Sequence, residues 1–295
     1  MRVLITGSNG LLGQKLVASC LEQNIDFWGI SSGENRNPTC PAERYSAIDI
    51  TDFSAVQHFI ETQHFTHIIH TAAMTNVDAC EINPERCYEI NHASTAFIFN
   101  LAREQHIHFT LLSTDFVFDG ATGNYSEADV PNPLSVYGNS KHLAEQVLLA
   151  SAYKNWAIAR TIIVYGKGYN LNKSNIFTWL IQELSQGREV SLITDHFRAP
   201  TWAEDLADGC LAIIKESHKG IFHLAGPETL SIYAIGLRVA QYLNVDPSLV
   251  LPIDSSTLNQ PAPRPIRTGF NLNKANAELG YHPHTIEETL VFLLN

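Results

Sequence analysis

Tyr137 and Lys141 are the residues whose types and spacing most directly indicate chemistry. They are the first and last residues of the segment Tyr-Gly-Asn-Ser-Lys, and side chains with that spacing meet on one face of a helix. A tyrosine hydroxyl has a pKa of about 10, which a neighbouring ammonium group lowers by stabilising the phenolate. The pair is therefore suited to protonating a carbonyl oxygen while a hydride reaches the attached carbon.

A second pair in the chain serves as an internal comparison. Tyr169 and Lys173 have the same spacing, but they lie in a segment rich in glycine and asparagine. That composition is typical of a loop, which would not hold the two side chains together. The segment around Tyr137, in contrast, is predicted to be a helix that runs to about Tyr153.

Two hydroxyl residues lie ahead of this helix. A strand is predicted over Ile107–Leu112, and Ser113 and Thr114 follow it directly. Either hydroxyl can hydrogen-bond a substrate carbonyl that lies beside Tyr137. The chemistry predicted from these residues is therefore hydride transfer coupled to proton transfer.

A spaced glycine triplet near the start of the chain could hold the hydride donor. Val3–Ile5 is typical of a central parallel strand, and Leu11–Gln23 has helical periodicity. Gly7 ends the strand, Gly10 lets the backbone approach a pyrophosphate, and Gly13 permits close packing of helix on strand. We expect the first amides of the helix to face the phosphates of a dinucleotide.

In dinucleotide-binding folds, residues at the end of the second strand, predicted here at Asp26–Ile30, recognise the adenosine ribose. NAD sites place an acidic residue at this strand end, and this chain lacks one there. Ser31, Ser32 and Arg36 suit a 2′-phosphate instead. The sequence therefore favours NADP and leaves NAD open, with Glu34 as the residue that could reverse the preference.

The elements that must position these groups alternate between strands and helices. Beyond those already named, strands are predicted up to about Asp49, at His67–His70 and at Ala157–Val164, and helices at Phe53–Thr62 and Pro84–Gln105. Asn91 lies inside the last helix, where its poor propensity indicates a packing or hydrogen-bonding role. The alternation predicts an α/β fold with a doubly wound parallel, Rossmann-type sheet.

Beyond Gly166 the regular alternation weakens. Short strands are predicted at Val190–Thr194 and Gly220–Leu224, and helices at Asn175–Gln186, Ala203–Lys215 and Ser231–Asn244. We therefore expect a dinucleotide-binding domain over residues 1–165 and a smaller substrate-binding lobe over residues 166–295, partly interleaved with the first domain.

Composition excludes several classes of protein. A net charge of −11 argues against nucleic acid or an anionic membrane as a main partner. The 5 cysteines lack zinc-like spacing, so we expect free thiols in a reducing cytoplasm and no metal. No apolar run reaches membrane-spanning length, and the first strand follows Met1 too closely to leave room for a signal peptide.

The motifs Thr6–Gly13, Ser113–Gly120 and Tyr137–Lys141 resemble the extended short-chain dehydrogenase/reductases. More narrowly, they are similar to the dTDP-4-dehydrorhamnose reductase family, whose known activity is NAD(P)H-dependent reduction of a 4-keto nucleotide sugar. Further matches at Asp195–Thr201, Glu204–Ala207 and Arg264-Pro265 extend the resemblance over nearly the whole chain.

This resemblance implies roles for individual residues. Thr114, Tyr137 and Lys141 would be catalytic. Together with the residues argued above, the expected cofactor contacts are Gly7, Asn9, Gly10, Leu11, Leu12, Gly13, Ser31, Ser32, Arg36, Asp49, Ile50, Thr71, Ala72, Ala73, Asn91, Ser113, Tyr137 and Lys141. The expected substrate contacts are Thr114, Asp115, Ile163, Arg198 and Arg264, with the arginines as candidates for a diphosphate.

One departure from the family pattern concerns the substrate. The family commonly reads Arg-Thr-Ser-Trp-Val-Tyr where this chain has Arg-Thr-Ile-Ile-Val-Tyr, so Ile163 replaces the tryptophan that would contact the sugar nucleotide. This replacement bears on which sugar is bound and leaves the reductase chemistry unchanged.

Two alternatives remain open at this point. An epimerase or dehydratase of nucleotide sugars uses the same scaffold without net consumption of NADPH. The regulatory subunit of methionine adenosyltransferase also resembles this family, and it binds NADP while serving another enzyme. The resemblance further implies a homodimer.

Overall fold

The structure is a computed structural model that describes residues 1–172 and 174–294, so Lys173 of the comparison pair lies outside the described residues. In chain order, the strands are Arg2–Thr6 (β1), Asp26–Ser31 (β2), Tyr45–Ala47 (β3), His67–His70 (β4), His108–Thr114 (β5), Trp156–Thr161 (β6), Val164–Tyr165 (β7), Val190–Ile193 (β8), Phe197–Arg198 (β9), Thr201–Trp202 (β10), Gly220–His223 (β11), Leu230–Ser231 (β12) and Val250–Ile253 (β13). The helices are Leu11–Glu22 (α1), Phe53–Gln63 (α2), Val77–Ile82 (α3), Pro84–Tyr88 (α4), Ser94–Glu104 (α5), Val136–Leu149 (α6), Ile176–Ser185 (α7), Ala203–Lys215 (α8), Ile232–Leu243 (α9), Asn273–Leu279 (α10) and Ile286–Leu294 (α11).

A parallel sheet of 7 strands, in the order β11-β6-β5-β4-β1-β2-β3, forms the centre of the described part of the chain. Val3 of β1 lies opposite Phe27 of β2 on one side and His67 of β4 on the other. The strand order reverses between β1 and β4, which leaves a crevice at their carboxyl ends. The predicted fold class, a doubly wound Rossmann-type sheet, is confirmed.

Helices cover both faces of the sheet because successive side chains of each strand point in opposite directions. Val3 and Ile5 are fully buried in the layer that contains α1 and α8. Leu4, also fully buried, faces the layer formed by α2, α5 and α6. Burying one such side chain contributes roughly 1.5–3 kcal/mol, so the register that places these three residues is strongly favoured.

Two segments differ from the sequence prediction. Strand β6 ends at Thr161 rather than continuing to Val164, because Ile163 has a φ of +33° that breaks the extended conformation. Strand β11 was expected in the smaller lobe, but it pairs with β6 at the edge of the main sheet, and α8 packs against α1. Residues 203–223 therefore lie in the layers of the main sheet.

The smaller lobe has a core of its own. Helices α7, α9 and α11 pack with β8 and β13 around buried side chains that include Phe177, Leu180 and Val239. Strand β8 pairs with β13 in parallel, and β9 pairs with β12 in antiparallel orientation. These short sheets bring segments from the last third of the chain to the carboxyl end of β5.

The described residues also bear on thiols, metals and membranes. All 5 cysteines are buried free thiols, as expected. Within residues 1–172 and 174–294, no group of three or more His, Cys, Asp or Glu side chains is arranged to hold a metal ion. None of the helices in these residues is long and apolar enough to span a bilayer.

Candidate active site

A cavity of about 720 Å³ opens at the carboxyl ends of β1, β4 and β5. Most of the predicted site residues line it: Gly7, Asn9, Gly10, Leu11, Leu12, Gly13, Ser31, Ser32, Arg36, Asp49, Ile50, Thr71, Ala72, Ala73, Ser113, Thr114, Asp115, Tyr137, Lys141 and Ile163. Asn91, Arg198 and Arg264 lie outside this wall. The volume is within the range of small-molecule and cofactor sites.

The glycine-rich turn between β1 and α1 forms one side of the cavity. Gly7 has a φ of +72°, and a Cβ there would lie 2.8 Å from the amide nitrogen of Ala72. A Cβ on Gly13 would lie 2.3 Å from the carbonyl oxygen of Gly7. Helix α1 then begins at Leu11 without a side-chain cap or an acidic residue in its first turn. Its free amides and dipole therefore favour an anion at this end of the cavity.

The loop after β2 forms the end of the cavity where the sequence predicts the adenosine ribose, referred to below as the adenosine end. Asn9 holds it, because its Oδ1 accepts from the Arg36 amide at 2.8 Å and its Nδ2 donates to the Glu34 carbonyl at 2.9 Å. Arg36 lines the cavity, and its guanidinium hydrogen-bonds Asn172. Glu34 is exposed and lies outside the cavity wall. The residue that could have favoured NAD thus does not face the cavity.

Helix α6 carries Tyr137 and Lys141 into the cavity. Ser135 caps the helix by accepting from the Gly138 amide at 3.2 Å. A Cβ on Gly138 would lie 2.2 Å from the Phe116 carbonyl oxygen, so only glycine lets the helix approach the end of β5 this closely. Both side chains lie on the buried face of α6, as the spacing predicts.

Burial dominates the electrostatics of this pair. It raises the pKa of Tyr137 above its ordinary value, and a hydrogen bond with the Thr114 side chain opposes that rise. Burial also lowers the pKa of Lys141 to about 8, against the opposing effect of the Glu145 carboxylate. The expected lowering of the Tyr137 pKa by Lys141 is therefore not found: desolvation of the phenolate is the largest cause, and it raises the pKa.

Asn91 lies behind the cavity wall in a single π turn, Glu89–Ala93, which connects α4 to α5. Its side chain accepts from the Met74 amide at 2.8 Å and donates to the Met74 carbonyl at 3.0 Å. It also donates to Ser140 Oγ at 3.0 Å, on the catalytic helix. Asn91 thus connects the loop after β4 to α6, which is the hydrogen-bonding role that its position predicts.

The two arginines predicted for a diphosphate have other partners. Arg198 is 3% exposed, and its guanidinium donates to three backbone carbonyls at 2.6–3.1 Å. Arg264 donates to Asp78 at 2.7 Å and to the Ala262 carbonyl at 2.9 Å. Neither lines the cavity, and carbonyl and carboxylate oxygens of the loops already engage both side chains.

Sequence reasoning missed part of the wall. The additional lining residues are Met74, Thr75, Val77, Arg86, Ile90, Leu112, Phe116, Thr161 and Val164. Arg86 pairs with Glu89 at 2.6 Å and lies 3.8 Å from Asp49, so it adds a second guanidinium near the adenosine end. Its only sequence signal is its place in the first turn of the helix predicted to start at Pro84.

Ile163 lines the cavity in an unusual conformation. Its φ of +33° is in the left-handed region, which is strongly disfavoured for a β-branched residue. The Thr201 amide stabilises it by donating to the Ile163 carbonyl at 3.1 Å. Strained backbone of this kind is often found at ligand sites, and here it turns the residue after β6 toward the cavity.

Comparison with known proteins now decides the family. A family model described as "RmlD substrate binding domain" matches the chain over residues 1–295. The chain belongs to this family. The resemblance expected from the sequence motifs is thereby confirmed.

Named relatives of this RmlD family chain differ in what they are said to do. A probable low-salt glycan biosynthesis reductase, Agl14, of Haloferax volcanii is 30% identical, and the match covers 99% of this chain and 97% of the relative. The dTDP-4-dehydrorhamnose reductase of Bacillus anthracis, solved in complex with NADP, superposes with a TM-score of 0.86 at 27% identity and covers 99% and 98% of the two chains. Methionine adenosyltransferase 2 subunit beta of Danio rerio is 31% identical over 90% of this chain and 80% of its own length.

The residues of this RmlD family member fit a dinucleotide. Ser113 Oγ is buried at the cavity wall and has no partner among the described residues, so a ligand oxygen can satisfy it. The first amides of α1 and the Arg36 guanidinium suit phosphate groups. A side chain at Gly7 or Gly13 would collide with the neighbouring backbone, so the turn carries none at these positions and its backbone stays accessible to a phosphate.

Proposed function

We propose that this chain is an NADPH-dependent reductase that acts on the 4-keto group of a nucleotide-linked deoxysugar. One observation carries the proposal. Thr114, Tyr137 and Lys141 line the same cavity as the glycine-rich turn and the first amides of α1. A keto carbon between these walls can receive a hydride on one face while its oxygen receives the phenol proton.

Each catalytic side chain has a role that follows from its surroundings. NADPH, when bound, supplies the hydride. Tyr137 stays protonated because burial raises its pKa, so it can act as the proton donor. Lys141, with a pKa of about 8, is mostly charged at neutral pH and stabilises the phenolate that remains. Ser113, whose buried hydroxyl lacks a partner in the described structure, is placed to meet the keto oxygen.

The preference for NADP over NAD rests on the adenosine end of the cavity. Ser31, Ser32 and Arg36 line it, Arg86 lies nearby, and the exposed Glu34 lies outside the cavity wall. A 2′-phosphate would find hydroxyl and guanidinium donors there, whereas a ribose 2′-hydroxyl would lack the carboxylate that usually binds it. NAD remains possible as a weaker cofactor.

The organisation of the protein is also part of the proposal. We assign cofactor binding to residues 1–165 and substrate binding to residues 166–295, with Asp115 and Ile163 as substrate contacts at their junction. The proposal includes a cytoplasmic homodimer, as the family resemblance implies, and the net charge of −11 disfavours nucleic-acid and anionic membrane partners. Light scattering tests the dimer, and a mass of 32.8 kDa at working concentration would refute it.

The test is oxidation of NADPH and of NADH with dTDP-4-keto-6-deoxyhexoses as substrates, followed at the nicotinamide absorbance. We expect turnover by the wild-type protein, a preference for NADPH, and loss of turnover in Tyr137→Phe. NADPH binding should survive in this variant, because the phenol oxygen is one contact among many. Interconversion of sugars without net NADPH consumption would indicate an epimerase or dehydratase instead.

A second candidate is a non-catalytic NADP-binding regulatory subunit. The 31% identity to methionine adenosyltransferase 2 subunit beta of Danio rerio favours it. The presence of Thr114, Tyr137 and Lys141 in one cavity favours catalysis. NADPH binding without turnover of any 4-keto sugar would support the regulatory function.

A further inference from the structure

Asp115 is a buried carboxylate between Thr114 and the smaller lobe, and both its oxygens are engaged. Thr114 donates to Oδ1 at 3.1 Å, and the Thr268 hydroxyl donates to Oδ2. The Nε of Arg198 lies 3.7 Å from Oδ2 and compensates the charge. In both contacts the threonine hydroxyl is the donor, so both hydroxyl hydrogens point at Asp115.

Thr268 reaches this carboxylate from a distant part of the chain, between β13 and α10. It is fully buried, and its amide donates to the Phe197 carbonyl at 3.0 Å. The Phe197 amide in turn donates to the Ile266 carbonyl at 2.8 Å. Two backbone bonds to β9 thus fix the place of the hydroxyl, although Thr268 is not one of the cavity-lining residues.

We propose that Thr268 is a positioning residue: by holding the Asp115 carboxylate, it fixes the direction of the hydroxyl hydrogen of the catalytic Thr114. This inference rests on the proposed reductase function.

The bonds of Thr114 show the consequence. Its single hydrogen is on Asp115, and its oxygen accepts from the Phe116 amide at 3.2 Å. The hydroxyl hydrogen of Thr114 is thus not available to a second acceptor as long as Asp115 holds it. The hydroxyl left to donate to a keto oxygen is that of Ser113.

Loss of the Thr268 hydroxyl would change this arrangement through Asp115. Burial already raises the pKa of Asp115, and the bonds from Thr268 and Thr114 oppose that rise, as does the charge of Arg198. Without Thr268 the carboxylate takes up a proton more readily. A protonated Asp115 can donate to Thr114, which reverses their bond and leaves the Thr114 hydroxyl without its fixed orientation.

The test compares three variants of the full chain. Thr268→Val keeps the shape and removes the hydroxyl, and Thr268→Ser keeps the hydroxyl. Thr289→Val is the matched control, because Thr289 is also fully buried and its hydroxyl bonds Tyr165 at 2.7 Å, away from the cavity wall.

For Thr268→Val we expect about a tenfold loss of kcat, the equivalent of one hydrogen bond to a charged group. KM for NADPH should stay unchanged because Thr268 does not line the cavity. The acidic limb of the plot of kcat against pH should move to higher pH, since only the ionised Asp115 orients Thr114. The charged and titratable groups that face Asp115 are Arg198 and Tyr137. Thr268→Ser should recover most of the kcat, and Thr289→Val should match wild type.

Two results would overturn the inference alone, given an active wild type: a Thr268→Val enzyme with wild-type kcat and pH profile, or a Thr268→Ser enzyme as impaired as the valine variant. If circular dichroism shows that Thr268→Val is unfolded, Thr268→Ala, which cannot overfill the site, replaces it in the same comparison. A wild-type protein that binds NADPH but reduces no 4-keto sugar would overturn the proposed function, and the inference with it.

Discussion

Two histidines that are buried in the neutral form should make the protein sensitive to mild acid. His70 lies between two threonine hydroxyls, with Nδ1 2.8 Å from Thr6 Oγ1 and Nε2 3.1 Å from Thr95 Oγ1. The Thr95 hydroxyl donates its hydrogen to the Asn91 carbonyl at 2.8 Å, so its oxygen accepts from Nε2 of His70. Nδ1 must then accept from Thr6, which requires the neutral ring.

His223 is neutral for similar reasons. Its Nδ1 lies 3.0 Å from the Tyr125 carbonyl and so carries the hydrogen, and its Nε2 faces the Arg160 guanidinium at 3.4 Å. The ring stacks on Phe270 with centroids 3.9 Å apart. Burial is the main cause that lowers the pKa of His70 and of His223 to about 3 each, from an ordinary value of 6.5.

The sign of the effect follows from where the proton binds. A depressed folded-state pKa means that the unfolded chain binds protons below pH 6.5 and the folded protein does not, so stability falls as the pH falls below that value. Between about pH 7.5 and pH 5.5 each histidine should cost roughly 1.4 kcal/mol of unfolding free energy. The two together should cost about 3 kcal/mol, a large fraction of a typical domain stability.

The assay is guanidinium denaturation at these two pH values. We expect His70→Gln and His223→Gln each to show about 1.4 kcal/mol less acid destabilisation than wild type, whatever their stability at neutral pH. His58→Gln, on the exposed face of α2, is the control and should behave as wild type. If both buried variants lose as much stability as wild type on acidification, the assignment to these two histidines is wrong.

Two further predictions concern cofactor binding. Gly13→Ala should destabilise the protein by about 1–3 kcal/mol and weaken NADPH binding at least tenfold, because the added Cβ would meet the backbone of Gly7. Denaturation measures the stability, and calorimetry measures NADPH binding. Gly209→Ala is the control: its Cβ would meet only the ends of side chains, so this variant should bind NADPH normally. Arg36→Ala should raise KM for NADPH roughly tenfold and leave KM for NADH nearly unchanged, and equal changes for both cofactors in steady-state kinetics would contradict a 2′-phosphate role.

The parts of the site that the sequence predicts well depend on local spacing. The spacing of Gly7, Gly10 and Gly13 predicts a dinucleotide site only when the turn lies between a strand and a helix. Here the periodicity of the flanking segments identifies both the strand and the helix. Tyr137 and Lys141 meet because the helical repeat brings them together, whatever the rest of the fold does. The fold class follows in the same way from the order of strands and helices.

The parts that the sequence does not predict depend on burial and on distant segments. Arg198 and Arg264 have the right chemistry for a diphosphate, but carbonyl and carboxylate groups far along the chain bind them instead. The effect of Lys141 on Tyr137 was predicted from charge alone, whereas desolvation decides the direction of the pKa shift. Neither the binding partners of the two arginines nor the desolvation of Tyr137 can be predicted from the spacing of residues in the sequence.

At the junction between the two lobes, the surroundings of Thr114 come from distant parts of the chain. Thr114 ends a strand of the main sheet, yet the carboxylate that orients it is held by Thr268 and Arg198 from the smaller lobe. A change at either donor of Asp115 would therefore change the orientation of Thr114, although Thr114 and these donors belong to different parts of the chain.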